Sequence, residues 1–269
     1  MVVATAATAG ILGHPPPMPT GDGPLTAMQA VFVTNGAMAI VLSALASRLR
    51  VRGARLGLVL FVAFFCLSVG MMMIETLYFN KSVKMPMDLL VRWGVQGMIS
   101  AAIIGAVGAL LYHPADEAPA LIPANIFRRL VALALIYVVL YYCAGYFIAW
   151  QSAAVRSYYG NMDIPLLPTI ALQLFRGFLW ALISLYIVTR MKGSLMSRAL
   201  LMAMLFWIVT SIQLLYPNAM MPWAVRQMHL VEVGSSELVY GFIAVFVLLG
   251  GARIPLSKTS FWRLIAGPA

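Results

Sequence analysis

Long apolar stretches, interrupted by short polar joints, are the dominant pattern along this chain. Apolar runs fall at about 28–47, 57–79, 93–112, 128–150, 169–189, 199–216 and 229–251. Each is close to the roughly 20 residues that an α-helix needs to cross about 30 Å of hydrocarbon. The joints RLRVRGAR, NKSVKMPMD, HPADEAPALIPAN, QSAAVRSYYGNMDIPLLP, RMKGSLMSR and YPNAMMPW are polar or contain proline, and none has room for a soluble domain. The pattern predicts an all-α, polytopic membrane protein with seven transmembrane helices. It divides into a flexible external tail at 1–26, a transmembrane domain at 27–252 and a cytoplasmic interfacial tail at 253–269. The Pro/Gly-rich HPPPMPTGDGP at 14–24 reads as disordered.

Polar positions inside the runs are few and grouped. In the seventh run, at about 100° per residue, Glu232, Ser236, His229, Tyr240 and Glu237 fall within an arc of roughly 140°. Gly234 and Gly241 mark a neighbouring strip suited to close helix contact. In the fifth, Gln173, Arg176, Trp180 and Ser184 step at three- and four-residue intervals, which is one helix face. Glu75 ends the second run, Arg92 and Gln96 begin the third, and Gln213 lies near the end of the sixth. All of these groups fall at the same end, within the outer third of the expected bundle.

An ionised side chain in the bilayer costs at least about 2.5–3.5 kcal/mol. Three acids and an arginine facing lipid would cost on the order of 10 kcal/mol, comparable to a whole domain's stability. They are therefore expected to face inward and pair, Arg176 with Glu237 or Glu232, and Arg92 with Glu75. Glu75, Arg92, Gln96, Gln173, Arg176, His229, Glu232, Glu237 and Tyr240 form the candidate ligand site. The plainer reading is a structural ion pair at Arg176 and Glu237, with Glu75, Arg92, His229 and Glu232 reaching water at the interface.

Composition supports the membrane reading: the 269 residues are 62% hydrophobic and 10% charged, against about 25% charged in soluble domains. Mean hydropathy is +0.93. Eighteen Lys and Arg outnumber eight Asp and Glu. No aromatic–basic nucleic-acid module accompanies them, so the partners expected are membrane lipids, with membrane proteins or further copies of the chain as additional candidates. Twelve basic residues fall on one side of the membrane: Arg48, Arg50, Arg52, Arg55, Arg128, Arg129, Arg190, Lys192, Arg198, Arg253, Lys258 and Arg263. The opposite side has six: Lys81, Lys84, Arg92, Arg156, Arg176 and Arg226. Lys and Arg resist translocation, which places the N-terminus outside and the C-terminus in the cytoplasm of a cell membrane of bacterial inner-membrane type. The C-terminal KTSFWRLIAG suits the cytoplasmic interface.

Several chemistries are disfavoured. A retinal Schiff base needs a lysine in the last helix, which has none. Haem held by two histidines fits poorly with only His14, His113 and His229. A metal site built on His229 and Glu232 with Glu75 is thinly supported, and no metal is assigned. There is no G-x-S-x-G turn, P-loop, GxGxxG or CxxC, and no cofactor is identified. Cys66 and Cys143 read as small buried hydrophobes. The glycines of GMISAAIIGAVGA, Met71–Met73 and the series Tyr137, Tyr141, Tyr142, Tyr146 read as packing.

Spans two–three, four–five and six–seven each form a hairpin with proline in its outer joint, either a weak repeat or only the ordinary taste of loops for proline. The joint at 151–168 is a lid over a cavity or a solvated connector. The leading functional reading is binding or transport of a small polar or anionic ligand, with proton coupling through His229, Glu232 and Glu237. The alternatives are a non-catalytic subunit of a membrane complex, and an enzyme on a lipid or quinone-like substrate with His229 as general base and Glu232 as its orienter.

Overall fold

A computed structural model describes residues 2–13, 22–80, 85–113, 121, 123–160, 164–218 and 220–250. The expectations for the Pro/Gly-rich 14–21 and for the C-terminal tail fall outside these. Among the described residues the protein is helical, with no strands. Seven helices are long and apolar enough to cross a membrane: Ala27–Arg48, Gly53–Tyr78, Met87–Leu111, Ile126–Gln151, Leu166–Val188, Leu195–Leu215 and Trp223–Leu249. These are spans one to seven below. Two shorter helices lie outside them, an N-terminal one at Val2–Leu12 and another at Ala153–Tyr159. The first, in a stretch expected to be a flexible tail, rests against span three.

Spans two and three, four and five, and six and seven pack as hairpins; span seven also contacts spans four and five, span two contacts span five, and span one leans on span six. Small residues set the closest approaches. A Cβ on Gly105 would lie 2.6 Å from the Gly57 carbonyl oxygen, and one on Gly241 2.6 Å from that of Met202. The glycine stripe of span three and the Gly234–Gly241 strip of span seven are thus helix contacts, as their spacing predicts. Leu45, Leu56, Leu133, Phe206 and Leu248 fill the shared core. Phe32, Ile40, Leu110 and Phe127 stay exposed on the outer surface, the arrangement a protein takes in a hydrocarbon solvent.

Every span begins somewhat earlier than its apolar run, most markedly span three at Met87 and span seven at Trp223. In span seven the reason is Arg226, whose charge interrupts the run but whose guanidinium is fully buried and satisfied. It donates to the carbonyls of Met221 at 3.0 Å, Leu214 at 3.1 Å, Asp22 at 2.6 Å and Tyr216. It also pairs with the Asp22 carboxylate at 2.9 Å. Both Asp22 oxygens accept the Trp223 N–H at 3.1 Å, so an acid remote in sequence caps this helix. That backbone bond is the main reason the Asp22 carboxyl is held below the usual carboxylate range.

Span two contains a π turn at Cys66–Gly70, and Gln213 of span six donates to the Ser68 carbonyl within it at 3.0 Å. A π turn adds one residue to the helix and rotates everything after it. Glu75 follows five positions on.

Candidate functional site

Spans two, four, five, six and seven, with the short helix Ala153–Tyr159, line a cavity of about 290 Å³. It lies at the end of the bundle where spans two, four and six finish and the others of this group begin. The basic joints Arg48–Arg55 and Arg190–Arg198 meet at the opposite end, where the Lys192 N–H donates to the Arg48 carbonyl at 2.7 Å.

The predicted face of span five is real: Gln173, Arg176, Trp180 and Ser184 are all buried. Arg176 donates through Nη1 to Gln173 Oε1 at 2.7 Å and pairs through Nη2 with Glu75 Oε2 at 2.9 Å. Gln173 Nε2 reaches back to Glu75 Oε1 at 3.5 Å. The expected pairing of Arg176 with Glu237 or Glu232 is therefore overturned: Glu75 takes this place because the π turn directs it inward. Arg92 does not meet Glu75 either. Span three buries Leu90, Gly94, Gly97 and Ala101 against its neighbour, and Arg92 lies about 200° round the helix from Leu90. Its Nη1 instead donates to the Gly13 carbonyl at 2.7 Å. Gln96 is half-buried on the same span and does not line the cavity.

On span seven, His229, Glu232, Ser236 and Glu237 all line the cavity. His229 Nδ1 lies 2.6 Å from Glu232 Oε2, and its Nε2 lies 3.1 Å from the Tyr159 hydroxyl. Burial pushes the Tyr159 phenol up from its ordinary range, so it remains a donor. The network is satisfied when Nδ1–H donates to the carboxylate and Nε2 accepts from the tyrosine. Glu237 is 6% exposed, and its Oε2 has no hydrogen-bond partner. Arg176 and Glu237 lie near the middle of their helices, so the site runs from the end of the bundle to its centre, deeper than the outer third expected.

Tyr240, expected at the site, is fully buried and stands behind it. It belongs to an aromatic floor with Tyr137, Trp180 and Phe206, whose ring centroids lie 5.3–6.2 Å apart. The Arg176 guanidinium sits 5.8 Å from the Tyr137 ring centroid. The spacing of Tyr137 and Tyr141 predicts packing, and both also line the cavity. Helical spacing shows only which residues share a face, and no signal in span four distinguished cavity wall from core.

The helix Ala153–Tyr159, in the joint after span four, lies over the cavity end. Val155 packs on Ala149 and Val225, and the Tyr158 hydroxyl donates to the Met220 carbonyl at 2.6 Å. With Tyr159 on His229, the helix Ala153–Tyr159 packs one side over the cavity through Val155, Tyr158 and Tyr159, while Ala153, Arg156 and Ser157 stay exposed.

Set against protein families, curated proteins and solved structures, the chain matches none. The fold itself defines the class: an integral, multi-pass helical membrane protein.

Proposed function

We propose that this protein binds, and carries across or senses at the membrane, a small ligand that enters the cavity from the end covered by Ala153–Tyr159. The observation that carries this reading is the cavity, with apolar and aromatic walls and a few converging polar groups, as ligand sites are built. Charged groups this deep in a bundle usually mark pathways or sites. The twelve-residue basic side is assigned to the cytoplasm and the cavity mouth to the outside of a cell membrane. Proton coupling is assigned to His229, Glu232 and Glu237, the ionisable groups that span seven contributes to the cavity wall. Of the two ligand classes expected, a polar ligand fits better than an anion. Arg92 is turned away, and Arg176 is already paired with Glu75.

Native mass spectrometry of protein extracted from its own membrane tests this. A bound small molecule is expected, and Ser236→Trp, which fills the cavity, is expected to lose it. Identical spectra without a bound molecule in either protein refute the reading.

One geometry favours a second reading, a membrane enzyme on a lipid or quinone-like substrate. Glu232 orients the His229 ring and leaves Nε2 facing the cavity beside Tyr159, the layout of a general base. Under this reading His229→Ala abolishes turnover and spares folding, whereas a carrier retains ligand binding in the same variant.

A further inference from the structure

We infer that the cavity selects an organic cation: an amine or quaternary ammonium head on an apolar body, with its head against Glu237. This rests on the ligand-binding reading above and names the chemistry of its ligand. The first observation is the charge left over once the internal pairs are made. Among the described residues, the cavity walls carry three carboxylates, Glu75, Glu232 and Glu237, against one permanent cation, Arg176, and the imidazole of His229. Arg176 is held by Glu75 and Gln173, and His229 by Glu232. Glu237 remains, 6% exposed at mid-helix, with Oε2 lacking a hydrogen-bond partner and its side chain on the cavity wall. A buried carboxylate of this kind gains most from a cation or a hydrogen-bond donor brought in by the ligand.

The second observation is independent of the first. Tyr137, Tyr141, Trp150, Tyr158, Tyr159 and Trp180 all face the same space. Aromatic faces attract cations through the ring quadrupole, most strongly where water is excluded, and cages of such rings recognise quaternary ammonium groups. An anion finds the opposite: negative ring faces, a surplus of carboxylates and one guanidinium whose charge is already matched. A neutral molecule without a hydrogen-bond donor would leave Glu237 as it stands.

The test uses the full-length protein in detergent and three probes of similar shape: benzyltrimethylammonium, its neutral isostere neopentylbenzene, and phenylmethanesulfonate. Equilibrium dialysis, referred to free aqueous concentration after correction for detergent partition, gives each affinity. The cation is expected to bind at least about tenfold more tightly than either of the others, a difference of about 1.4 kcal/mol. Glu237→Gln is expected to remove most of that preference while leaving neopentylbenzene binding within about twofold. The preference in the unsubstituted protein decides the matter even where the variant does not fold. Equal or tighter binding of the neutral or anionic probe overturns the cation inference and leaves the cavity a binding site. Failure of all three probes to bind overturns the ligand-binding reading together with it.

Discussion

Replacing Glu75 with glutamine leaves the Arg176 guanidinium, 2% exposed, with only neutral amides as close partners, that of Gln173 at 2.7 Å and the one introduced. Two scales bear on the cost. An ordinary interhelical hydrogen bond in a membrane bundle averages about 0.6 kcal/mol. Removing one member of a buried ion pair costs about 3–5 kcal/mol, because the remaining charge is uncompensated. The geometry puts Glu75 on the second scale, since the pair links spans two and five through a short contact between largely buried groups. At about 2–4 °C per kcal/mol for a chain of this size, thermal unfolding in detergent should fall by about 6–20 °C. Arg176→Gln should fall similarly, and the Glu75→Gln/Arg176→Gln double should recover much of the loss by removing both charges. Glu237→Gln belongs to neither scale: Glu237 forms no ion pair among the described residues, so its neutralisation should change stability by less than about 1 kcal/mol or raise it. A rearrangement in which Glu237 takes over Arg176 would soften the single Glu75 variant; the Glu75→Gln/Glu237→Gln double closes that route and should fall at least as far. Equal losses in Glu75→Gln and Glu237→Gln, or a charge-free double no better than its worse parent, would refute the pairing.

Gly105→Ala should cost about 1–3 kcal/mol by overpacking, since its Cβ would meet the Gly57 carbonyl oxygen at 2.6 Å; Gly36→Ala, with nothing within 4 Å, should be neutral or stabilising in the same thermal assay. Gln213→Leu removes the donor to Ser68 in the π turn and should cost about 1–3 kcal/mol; an unchanged melting temperature would show that the turn needs no such support. Asp22 has a folded pKa below its unfolded value, held there by the Trp223 N–H and by Arg226. Its stabilisation is therefore fully present above about pH 3.9 and is lost as pH falls through the lower folded value. Proteolytic nicking ahead of span seven should be slower in the unsubstituted protein than in Asp22→Asn at pH 6, and the gap should close in acid; a gap that widens toward low pH would reverse the assigned sign.

The fold was legible in the sequence because hydrocarbon imposes a one-dimensional rule. A span must be long and apolar, and its backbone must satisfy its own hydrogen bonds, so length and hydropathy alone yielded seven helices. The inward faces were legible for the same reason. Polar side chains at helical spacing on spans five and seven cannot face lipid at acceptable cost, and Gln173, Arg176, Ser184 and Glu237 are buried accordingly. What tertiary structure decided was which of those groups meet. The π turn gave Glu75 to Arg176, the glycine stripe of span three turned Arg92 outward, and the joint after span four brought Tyr159 onto His229. Arg226 shows the same division: a charge that lies outside the apolar run is buried because carbonyls from the end of span six, from the joint after it and from Asp22, 204 positions away, converge on it. Periodicity reports the direction in which a side chain leaves its own helix. Contact also depends on rotation, offset and bulges in the helices opposite, and these are set only when all the spans pack together.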